Sequence, residues 1–593
     1  MTSLAATIEN RAYSEKWKQC AEFRRTEFGL SARAAAGKPG HRLQDRKARA
    51  PDYERDREVK RLTVCYLLLV LAAISSLLVA CGGDDDSNDK PTAEATTAGG
   101  STSTTQSATA APSAASDPNA TIRVAFGTDG SRNYDPHLAT NQFVITFLLP
   151  AYDRLINLTS TGKLEPQLAE SWEFSKDAKT LTLKLRKGVV FHDGEPFNAA
   201  AVKANLERAM TNPKSKVTAD TAVINNVEVV DDLTVRLNLK SPGGSLPALL
   251  ADRLGMMISP KAFDNPDLDL MPVGAGPYKV VADDPGKVVT YEKFDKYWNP
   301  SSQRVAKIEI HIILDPEAAL RALRSGQVDA MYVNADQLQT AKDAGLTVQN
   351  FPTVGAFIMY LNMSRPAFQN IKVRQAISMA IDREGISKAL HNGICTPSQQ
   401  VFPKGYWAND PGVAADYYKY DPAAAKKLLA ESGVKDINFV LAVFSGSFYT
   451  RQAEAIQAQL AEIGIKVEVR PTEPAKLLAS FTTEKSADAY FSSTGGFVDP
   501  AKAVAQLWMP TSTFNPGGFV DQDVVDLAAK GLEATTEEGR AASYKQISKL
   551  TVEHVFQIPI CNSPTNVATT KKVQGVSANS AGAVNWALVS MAK

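Results

Sequence analysis

The order of hydrophobic and polar positions predicts a mixture of strands and helices from residue 121 onwards. Apolar and polar side chains alternate strictly over Thr180–Arg186, which indicates a strand with one buried face. Val227–Val230 and Leu233–Leu239 are typical of a hairpin. Pro316–Arg324 and Pro422–Glu431 have helical spacing and begin with a proline, which favours the first turn of a helix. This succession predicts an α/β or α+β protein.

One apolar run of 19 residues, Leu62–Ala80, stands apart from this pattern. Two basic residues precede it and Cys81 follows it, which is the order of an export signal. Its ending, Leu78-Val79-Ala80-Cys81, resembles the lipobox of bacterial lipoproteins, in which the cysteine is lipidated. We therefore expect a signal peptide over 59–80 and a lipid anchor on Cys81, stable because it carries two acyl chains. A transmembrane helix is the alternative, since a run of this length can span a bilayer.

The segments on either side of this run have no core pattern. Residues 81–120 are rich in Ser, Thr, Ala and Gly. Such a composition predicts a disordered tether, because it buries too little apolar surface to offset the entropy of ordering. Residues 1–58 are rich in arginine and would displace the signal from the start of the chain. We interpret them as a mis-assigned extension upstream of a start at Val59; a cytoplasmic tail before an uncleaved anchor is the alternative.

Length and charge narrow the class of protein. A chain of 593 residues is too long for one core and predicts two or three domains. Its net charge of +1 combines about +6 over residues 1–61 with about −5 over the rest. A mildly acidic body lacks the basic surface that nucleic-acid binding requires, so no nucleic-acid partner is expected.

The body offers no recognisable catalytic or metal-binding motif. It has no GxSxG, Walker A, HExxH or CxxC motif, and no two histidines are four residues apart. We therefore predict a protein that is not an enzyme and needs no cofactor or metal. A hydrolase and a structural cell-wall or adhesion protein are the rival classes. Cys395 and Cys561 form either one disulfide after export or two separate buried thiols.

Several motifs of the body resemble the family 5 extracellular solute-binding proteins, the dipeptide, oligopeptide and nickel binders of ABC importers. The longest is Ala169–Phe197, with the sequence AESWEFSKDAKTLTLKLRKGVVFHDGEPF. Further motifs follow in the order of the family: Pro272–Tyr278, Phe294–Trp298, Ala322–Asp329 and Val373–Arg383. The resemblance extends from Ile122 to Val573 and so covers essentially the whole body.

The resemblance implies an α/β fold of two lobes, the class II or cluster C type of periplasmic binding protein, with an extra subdomain in the first lobe. The expected boundaries are 121–156, 271–354 and 558–593 for lobe I, 157–270 for the subdomain, and 355–557 for lobe II. In such a fold the ligand lies in the cleft between the lobes and stabilises their closed arrangement.

The same resemblance implies the function and the partners. We expect a monomeric lipoprotein at the extracytoplasmic face of the cell membrane. It would capture a short peptide or a similar small polar solute and deliver it to the permease and ATPase subunits of an ABC importer. A sugar, an opine or a metal chelate is the alternative ligand in the same fold.

The residues before Asp499-Pro500 complicate the prediction of a peptide. Peptide binders of this family hold the ligand's ammonium with an aspartate three residues before such a pair. Here Gly496 stands at that position, so the partner that a buried ammonium needs is missing unless Asp499 replaces it. Ser493 likewise replaces the expected tryptophan. From their positions, the cleft residues are expected to be Thr128, Asn133, Tyr134, Tyr406, Trp407, Phe444, Tyr449, Ser492, Ser493, Thr494, Gly495, Gly496 and Asp499.

Overall fold

The computed structural model describes residues 116–128, 132–139 and 142–593. The predictions for 1–58, for the signal peptide over 59–80, for Cys81 and for residues up to 115 of the tether lie outside the described residues. Within the described part of the chain, no helix is both long enough and apolar enough to cross a membrane.

The strands are short and are numbered in chain order. They are β1 (Thr121–Phe126), β2 (Ile156–Leu158), β3 (Leu164–Pro166), β4 (Ala169–Phe174), β5 (Thr180–Leu185), β6 (Ile224–Asp231), β7 (Thr234–Leu239), β8 (Tyr278–Asp284), β9 (Val288–Lys293), β10 (Lys307–Ile312), β11 (Ala330–Tyr332), β12 (Thr347–Phe351), β13 (Ala356–Leu361), β14 (Thr396–Pro397), β15 (Asn438–Phe444), β16 (Lys466–Thr472), β17 (Ala489–Thr494), β18 (Gln557–Asn562), β19 (Thr565–Thr569), β20 (Val573–Gln574) and β21 (Ser590–Met591).

The helices are numbered in the same way. They are α1 (Ile145–Leu148), α2 (Ala199–Thr211), α3 (Thr218–Thr221), α4 (Leu246–Leu249), α5 (Pro316–Arg324), α6 (Leu338–Asp343), α7 (Pro366–Gln369), α8 (Ile371–Met379), α9 (Arg383–His391), α10 (Pro422–Ser432), α11 (Ser447–Glu462), α12 (Pro474–Thr482), α13 (Pro500–Leu507), α14 (Gln522–Glu533) and α15 (Glu537–Glu553).

Helix boundaries follow local capping chemistry. The Asp315 side chain accepts a hydrogen bond from the Ala318 N–H and so caps α5, whose first residue is a proline. Asp421 caps α10 in the same way, and Gly433 ends this helix with a φ of 71°. Glycine adopts this left-handed conformation without steric strain, and such a residue commonly ends a helix.

The sheet of lobe I is organised around β1. Its spatial order is β12-β19-β11-β1-β10-β9-β8, and β1 runs parallel to both of its neighbours. One face of β1 buries Ile122 and Val124 in a core that includes Tyr278 and Trp586. The other face buries Ala125 in the cluster that also holds the apolar side of α5 and α6. Four of the six residues of β1 are apolar, which is typical of a parallel strand covered on both faces.

The subdomain has its own antiparallel sheet, in the order β4-β5-β7-β6. The predicted alternation over 180–186 is confirmed, since Leu181, Leu183 and Leu185 are buried in the subdomain core while Lys184 is exposed. The predicted hairpin is the pair β6–β7.

The sheet of lobe II has the order β14-β18-β13-β17-β15-β16. Every residue of β13 is buried, because the two faces of this strand enter two different cores. Phe357 and Met359 pack with α8, α9 and α11, and Ile358 and Tyr360 pack with α12 to α15. The lobe is therefore a three-layer α/β/α arrangement.

Two chain crossovers join the lobes. The chain leaves lobe I between β12 and β13 and returns between β18 and β19. The crossovers lie side by side, because the Ser563 N–H donates to the Gly355 carbonyl at 2.9 Å. The predicted boundary at 558 falls inside β18, which pairs with β13 in lobe II. Lobe II therefore extends to Asn562, since strand pairing, and not local sequence, assigns β18 to a lobe.

Two covalent or backbone links complete the fold. Cys395, the residue before β14, and Cys561 of β18 form a disulfide, so the alternative of two separate thiols does not apply to this structure. Ser116 pairs with Ala592 in an isolated antiparallel bridge. The described chain thus begins and ends on lobe I.

Candidate functional site

A cavity of about 440 Å³ lies between the two lobes. Residues of lobe I, the subdomain and lobe II all contribute to its wall. They are Phe126, Phe143, Ile145, Thr146, Leu149, Arg154, Ala251, Asp252, Met256, Tyr332, Ser493, Thr494, Gly495, Gly496, Val498, Thr565, Asn579, Ala581, Gly582 and Ala583. Its size suits a small organic molecule or a short peptide.

Lobe I presents the ends of parallel strands to this cavity. Phe126 is the last residue of β1 and Tyr332 the last residue of β11, and their ring centroids lie 5.2 Å apart. The Tyr332 hydroxyl lies 3.4 Å from the Thr146 hydroxyl. Ligands of open α/β sheets bind outside the carboxyl ends of the strands, which is where this cavity lies.

Lobe II contributes a wall that is mostly main chain. The strand β17 ends at Thr494, and the chain continues through Gly495 and Gly496. Gly496 has a φ of 73°, a conformation that favours glycine. A Cβ atom on Gly495 would lie 3.7 Å from the Gly355 Cα atom at the crossover, an ordinary contact. The backbone conformation therefore favours glycine at position 496, whereas the space around Gly495 does not require it.

The charged groups of the wall are Arg154 and Asp252. Arg154 is 5% exposed, and its guanidinium donates to the Ala251 carbonyl at 3.1 Å and to the Asn157 side-chain oxygen at 2.6 Å. Burial lowers the pKa of Arg154, and the nearby carboxylates of Asp153 and Asp252 oppose this change.

Asp153 lies beside Arg154 in sequence but belongs to a separate polar cluster. Its carboxylate accepts hydrogen bonds from the Trp298 indole at 2.7 Å, the Tyr297 hydroxyl at 3.0 Å and the Gln167 amide at 2.7 Å. Burial raises the pKa of Asp153 to about 6, although these hydrogen bonds and Arg154 oppose the rise. The Asp153 carboxylate therefore holds Trp298, Tyr297 and Gln167 together and does not line the cavity.

Asp252 is paired across the lobes. The Lys502 ammonium, on α13 of lobe II, lies 3.7 Å from the Asp252 carboxylate and 3.0 Å from that of Asp220 in α3. Burial opposes the charged form of Lys502, but the two carboxylates outweigh it and raise the pKa of Lys502. This ion-pair cluster joins the subdomain to lobe II at the edge of the cavity.

The structure brings part of the predicted site together. Ser493, Thr494, Gly495 and Gly496 line the cavity, and Ser492 precedes them as a buried residue of β17. The Tyr449 hydroxyl lies 3.0 Å from the Ser493 hydroxyl, and the Phe444 ring lies 5.6 Å from the Tyr449 ring. Tyr449 thus contacts a wall residue, but neither Tyr449 nor Phe444 is among the residues that line the cavity.

The residues predicted from the first loop lie elsewhere in lobe I. Thr128 lines a neighbouring groove on lobe I rather than the cavity. Tyr134 is fully buried and stacks on Phe147 with ring centroids 5.3 Å apart. The Asn133 side chain accepts a hydrogen bond from the Asp135 N–H and so shapes a turn. None of these three is among the residues of the cavity wall.

Tyr406 and Trp407 belong to lobe II and not to the cavity. Tyr406 is 7% exposed and stacks between Phe402 and Trp407. The Trp407 ring packs edge-on against Tyr544. Both residues line a different cavity of about 590 Å³. Tyr406 and Trp407 were expected as aromatic walls of the cleft, but position and aromatic character do not distinguish a core residue from a cleft residue.

Asp499 is used inside lobe II. Its carboxylate pairs with the Arg540 guanidinium through two hydrogen bonds of 2.7 Å and 2.6 Å, and both side chains are buried. It also accepts a hydrogen bond from the Ala501 N–H and caps α13. Its oxygens are thus engaged within the lobe, and Asp499 is not among the residues that line the cavity.

Arg154 carries a sequence signal that the prediction of the site left out. Together with Asp153, which lies behind the wall, it is one of two adjacent charges inside the otherwise apolar segment Phe147–Ile156. Charged residues in a buried run indicate a functional site or an internal ion pair. The segment Asn579–Ala583 carries no comparable signal. It reaches the cavity only because the chain has returned from lobe II to lobe I.

Comparison with known proteins agrees with this geometry. Residues 163–516 match the family model described as bacterial extracellular solute-binding proteins, family 5 Middle. The glutathione-binding protein GsiB of Pectobacterium atrosepticum is 30% identical over 429 residues, which are 69% of this chain and 82% of that protein.

Solved structures are similar over most of the described chain. The periplasmic binding protein DppA from Helicobacter pylori, in complex with the peptide STSA, has a TM-score of 0.68 at 24% identity and covers 80% of this chain and 98% of its own. The binding protein AgaA from A. tumefacien R10, in complex with agropinic acid, has a TM-score of 0.65 at 29% identity and covers 77% and 95%. The predicted two-lobed fold is confirmed, and this chain belongs to family 5 of the bacterial extracellular solute-binding proteins.

Proposed function

We propose that this protein binds a short peptide or a similar small polar solute in the cavity between its lobes and delivers it to an ABC importer. The observation that carries the proposal is the cavity itself. It lies at the carboxyl ends of β1 and β11, and both lobes contribute to its wall. A ligand in this place touches both lobes at once, so it stabilises their closed arrangement.

Relatives support more than one class of solute. GsiB is named for glutathione and the DppA structure holds a peptide, which supports a peptide ligand. AgaA holds agropinic acid, which supports a non-peptide solute as the second candidate. The observation that favours the second candidate is Gly496, which stands where peptide binders of the family place an aspartate. We propose that the ligand is bound and released unchanged, as in a transport protein, and not converted.

The experiment that tests this function combines ligand identification with scattering. Native mass spectrometry of the purified full chain identifies any retained solute, which is then removed and added back. We expect small-angle scattering to show a smaller radius of gyration with the solute than without it, and we expect no change in the mass of the solute. Identical scattering at saturation contradicts closure, and a converted solute contradicts binding without turnover.

We further propose that the mature protein begins at Cys81 and is held at the extracytoplasmic face of the membrane by lipid on that residue, as a monomer. The support is the lipobox-like ending of the apolar run together with membership of an extracellular family. Cys81→Ser should release the protein into the soluble fraction after cell breakage. A variant that stays entirely with the membrane contradicts lipid anchoring and favours an uncleaved helix.

A further inference from the structure

The wall of the cavity contains a buried arginine without a carboxylate partner. Arg154 is 95% buried, and no carboxylate oxygen of the described residues lies within ion-pair distance of its guanidinium. Its Nε–H has no hydrogen-bond partner there either. Its two hydrogen bonds, to Ala251 and Asn157, leave part of the donor set of a guanidinium unused. A buried charge in this condition is costly unless another group completes it.

Most other buried or partly buried arginines of the described chain are paired or hydrogen-bonded by their surroundings. Arg540 forms a paired interaction with Asp499, and Arg208 pairs with Asp135. Arg374 and Arg383 each donate to several oxygens, most of them backbone carbonyls. Arg253 also lacks a carboxylate within ion-pair distance in the described chain, but it does not line the cavity. Arg154 therefore differs from the other buried arginines because one of its N–H donors has no acceptor among the described residues and because it also lines the cavity.

The other residues of the wall indicate which ligand group can pair with the Arg154 guanidinium. Asp252 is the other charged residue of the wall, and Lys502 from lobe II already lies 3.7 Å from its carboxylate. The remaining lining is largely apolar, with Phe126, Phe143 and Met256 among it. No acidic side chain of the wall is unmatched, so a ligand ammonium would find no free counter-charge. A guanidinium binds a carboxylate through two parallel hydrogen bonds.

We propose that Arg154 is the anion-binding group of the cavity and that the ligand is a carboxylic acid whose carboxylate completes this arginine. The ligand's remaining surface is mostly apolar or uncharged, and its amine, where it has one, is blocked or amide-bonded. This inference rests on the proposed function, because it names the chemical class of solute for the same cavity.

The test uses the full chain freed of retained solute and three matched sets of probes. These are N-acetylated dipeptides with a free carboxylate, the same compounds as C-terminal amides, and the same dipeptides with a free amine. Isothermal titration gives the affinity of each. We expect the best acetylated acid to bind at least about thirtyfold more tightly than its amide, the loss that follows when one partner of a buried charge pair is removed. We also expect it to bind more tightly than its free-amine form.

Variants assign the effect to the residue. Arg154→Met should remove the difference between acid and amide while amide binding persists. Arg154→Lys keeps the charge without the planar fork and should retain part of the difference. Arg236→Met is the matched control, since it removes an arginine of the subdomain that pairs with Glu228 away from the cavity. It should leave the preference for the acid intact. If Arg154→Met does not fold, the preference of the wild type for the acid over the amide, and its reduction in Arg154→Lys, still test the inference.

The outcomes separate this inference from the proposed function. Equal binding of acids and amides by the wild type, or a retained natural solute without an acidic group, overturns the inference and leaves solute binding in place. An acid preference that survives Arg154→Met overturns the role of Arg154. Absence of binding by every acid overturns the inference. If no probe and no retained solute binds at all, the proposed function fails with it.

Discussion

At the scale of single residues, buried charge is the property that separates structural from binding groups in this protein. Asp499 and Arg540 satisfy each other in the core of lobe II, with Tyr544 and the Trp407 ring close to the guanidinium. Arg154 is equally buried but has no such partner in the described chain. The same residue type thus has two roles, and only the partners distinguish them.

The Asp499–Arg540 pair yields a first prediction. Asp499→Ala should lower the free energy of unfolding by about 3–5 kcal/mol, because it leaves the Arg540 charge buried and uncompensated. Urea denaturation followed by circular dichroism measures this change. The double variant Asp499→Ala/Arg540→Met is the control and should lose less stability than the single variant. If Asp499 contacted the ligand instead, the single variant would lose affinity with little loss of stability.

His137 yields a prediction about pH. It is fully buried, and burial lowers its pKa from 6.5 to about 4, with Arg208 and Arg253 lowering it further against the effect of Asp135. Between these values the unfolded chain binds a proton that the folded chain does not. The contribution of His137 to the free energy of unfolding is therefore fully present above pH 6.5. It is lost as the pH falls towards 4, by about 3 kcal/mol.

The measurement compares the wild type with His137→Gln. Urea denaturation at pH 7.5 and at pH 4.5 gives the loss of stability of each protein. We expect the wild type to lose more than the variant, because glutamine does not titrate. Equal losses in the two proteins would assign the acid sensitivity to other groups.

Part of the site was predictable at this scale. The segment Ser493–Gly496 was placed in the cleft by its distance from Asp499-Pro500, and it lines the cavity. Arg154 was not predicted, because its role depends on the absence of a carboxylate partner nearby, and that absence is a property of the tertiary structure. Tyr134 and Tyr406 were predicted as cleft residues, but both are core residues, since burial of an aromatic ring depends on tertiary packing that one sequence does not specify.

At the scale of elements, local signals located helices and strands better than they assigned them to lobes. The helix predicted over Pro316–Arg324 has those bounds, because an aspartate cap and a first-turn proline mark its start. The strand β18 was divided between lobes at 558, although it pairs along its length in lobe II. Local sequence identifies a strand, whereas its partner is chosen by contacts hundreds of residues away.

The disulfide between Cys395, which precedes β14, and Cys561 of β18 yields a prediction at this scale. It closes a loop across a sequence separation of 166, so it restricts the unfolded chain strongly. Cys395→Ala/Cys561→Ala should lower the free energy of unfolding by about 2–5 kcal/mol. Thermal and urea denaturation of the oxidised wild type and the variant measure the change. Equal midpoints would show that the sheet holds these strands without the bond.

At the scale of the whole molecule, Lys502 connects the lobes at the cavity. Its ammonium contacts the carboxylates of Asp220 and Asp252 in the subdomain while its backbone belongs to α13 of lobe II. Opening the cleft on this side separates the ammonium from both carboxylates. The cluster therefore contributes to the free-energy difference between the open and closed arrangements.

Lys502→Met should weaken solute affinity by about tenfold, because the closed arrangement loses these ion pairs and leaves two carboxylates unmatched. Titration calorimetry measures the affinity, and small-angle scattering without solute should show a larger radius of gyration than for the wild type. Lys530→Met, on the exposed side of α14, is the matched control and should change neither quantity. Unchanged affinity in Lys502→Met would mean that the cluster forms equally well in both arrangements.

The bridge between Ser116 and Ala592 places both ends of the described chain on lobe I. Lobe II is connected covalently to lobe I only by the two crossovers, while contacts such as the Lys502 ion pairs join the lobes without a covalent link. The chain upstream of Ser116 therefore joins the body at lobe I, and its covalent path to lobe II runs through residues 352–355 and 563–564. A hinge motion at the crossovers therefore changes the distance between lobe II and the point where the upstream chain is attached, while that point keeps its place on lobe I.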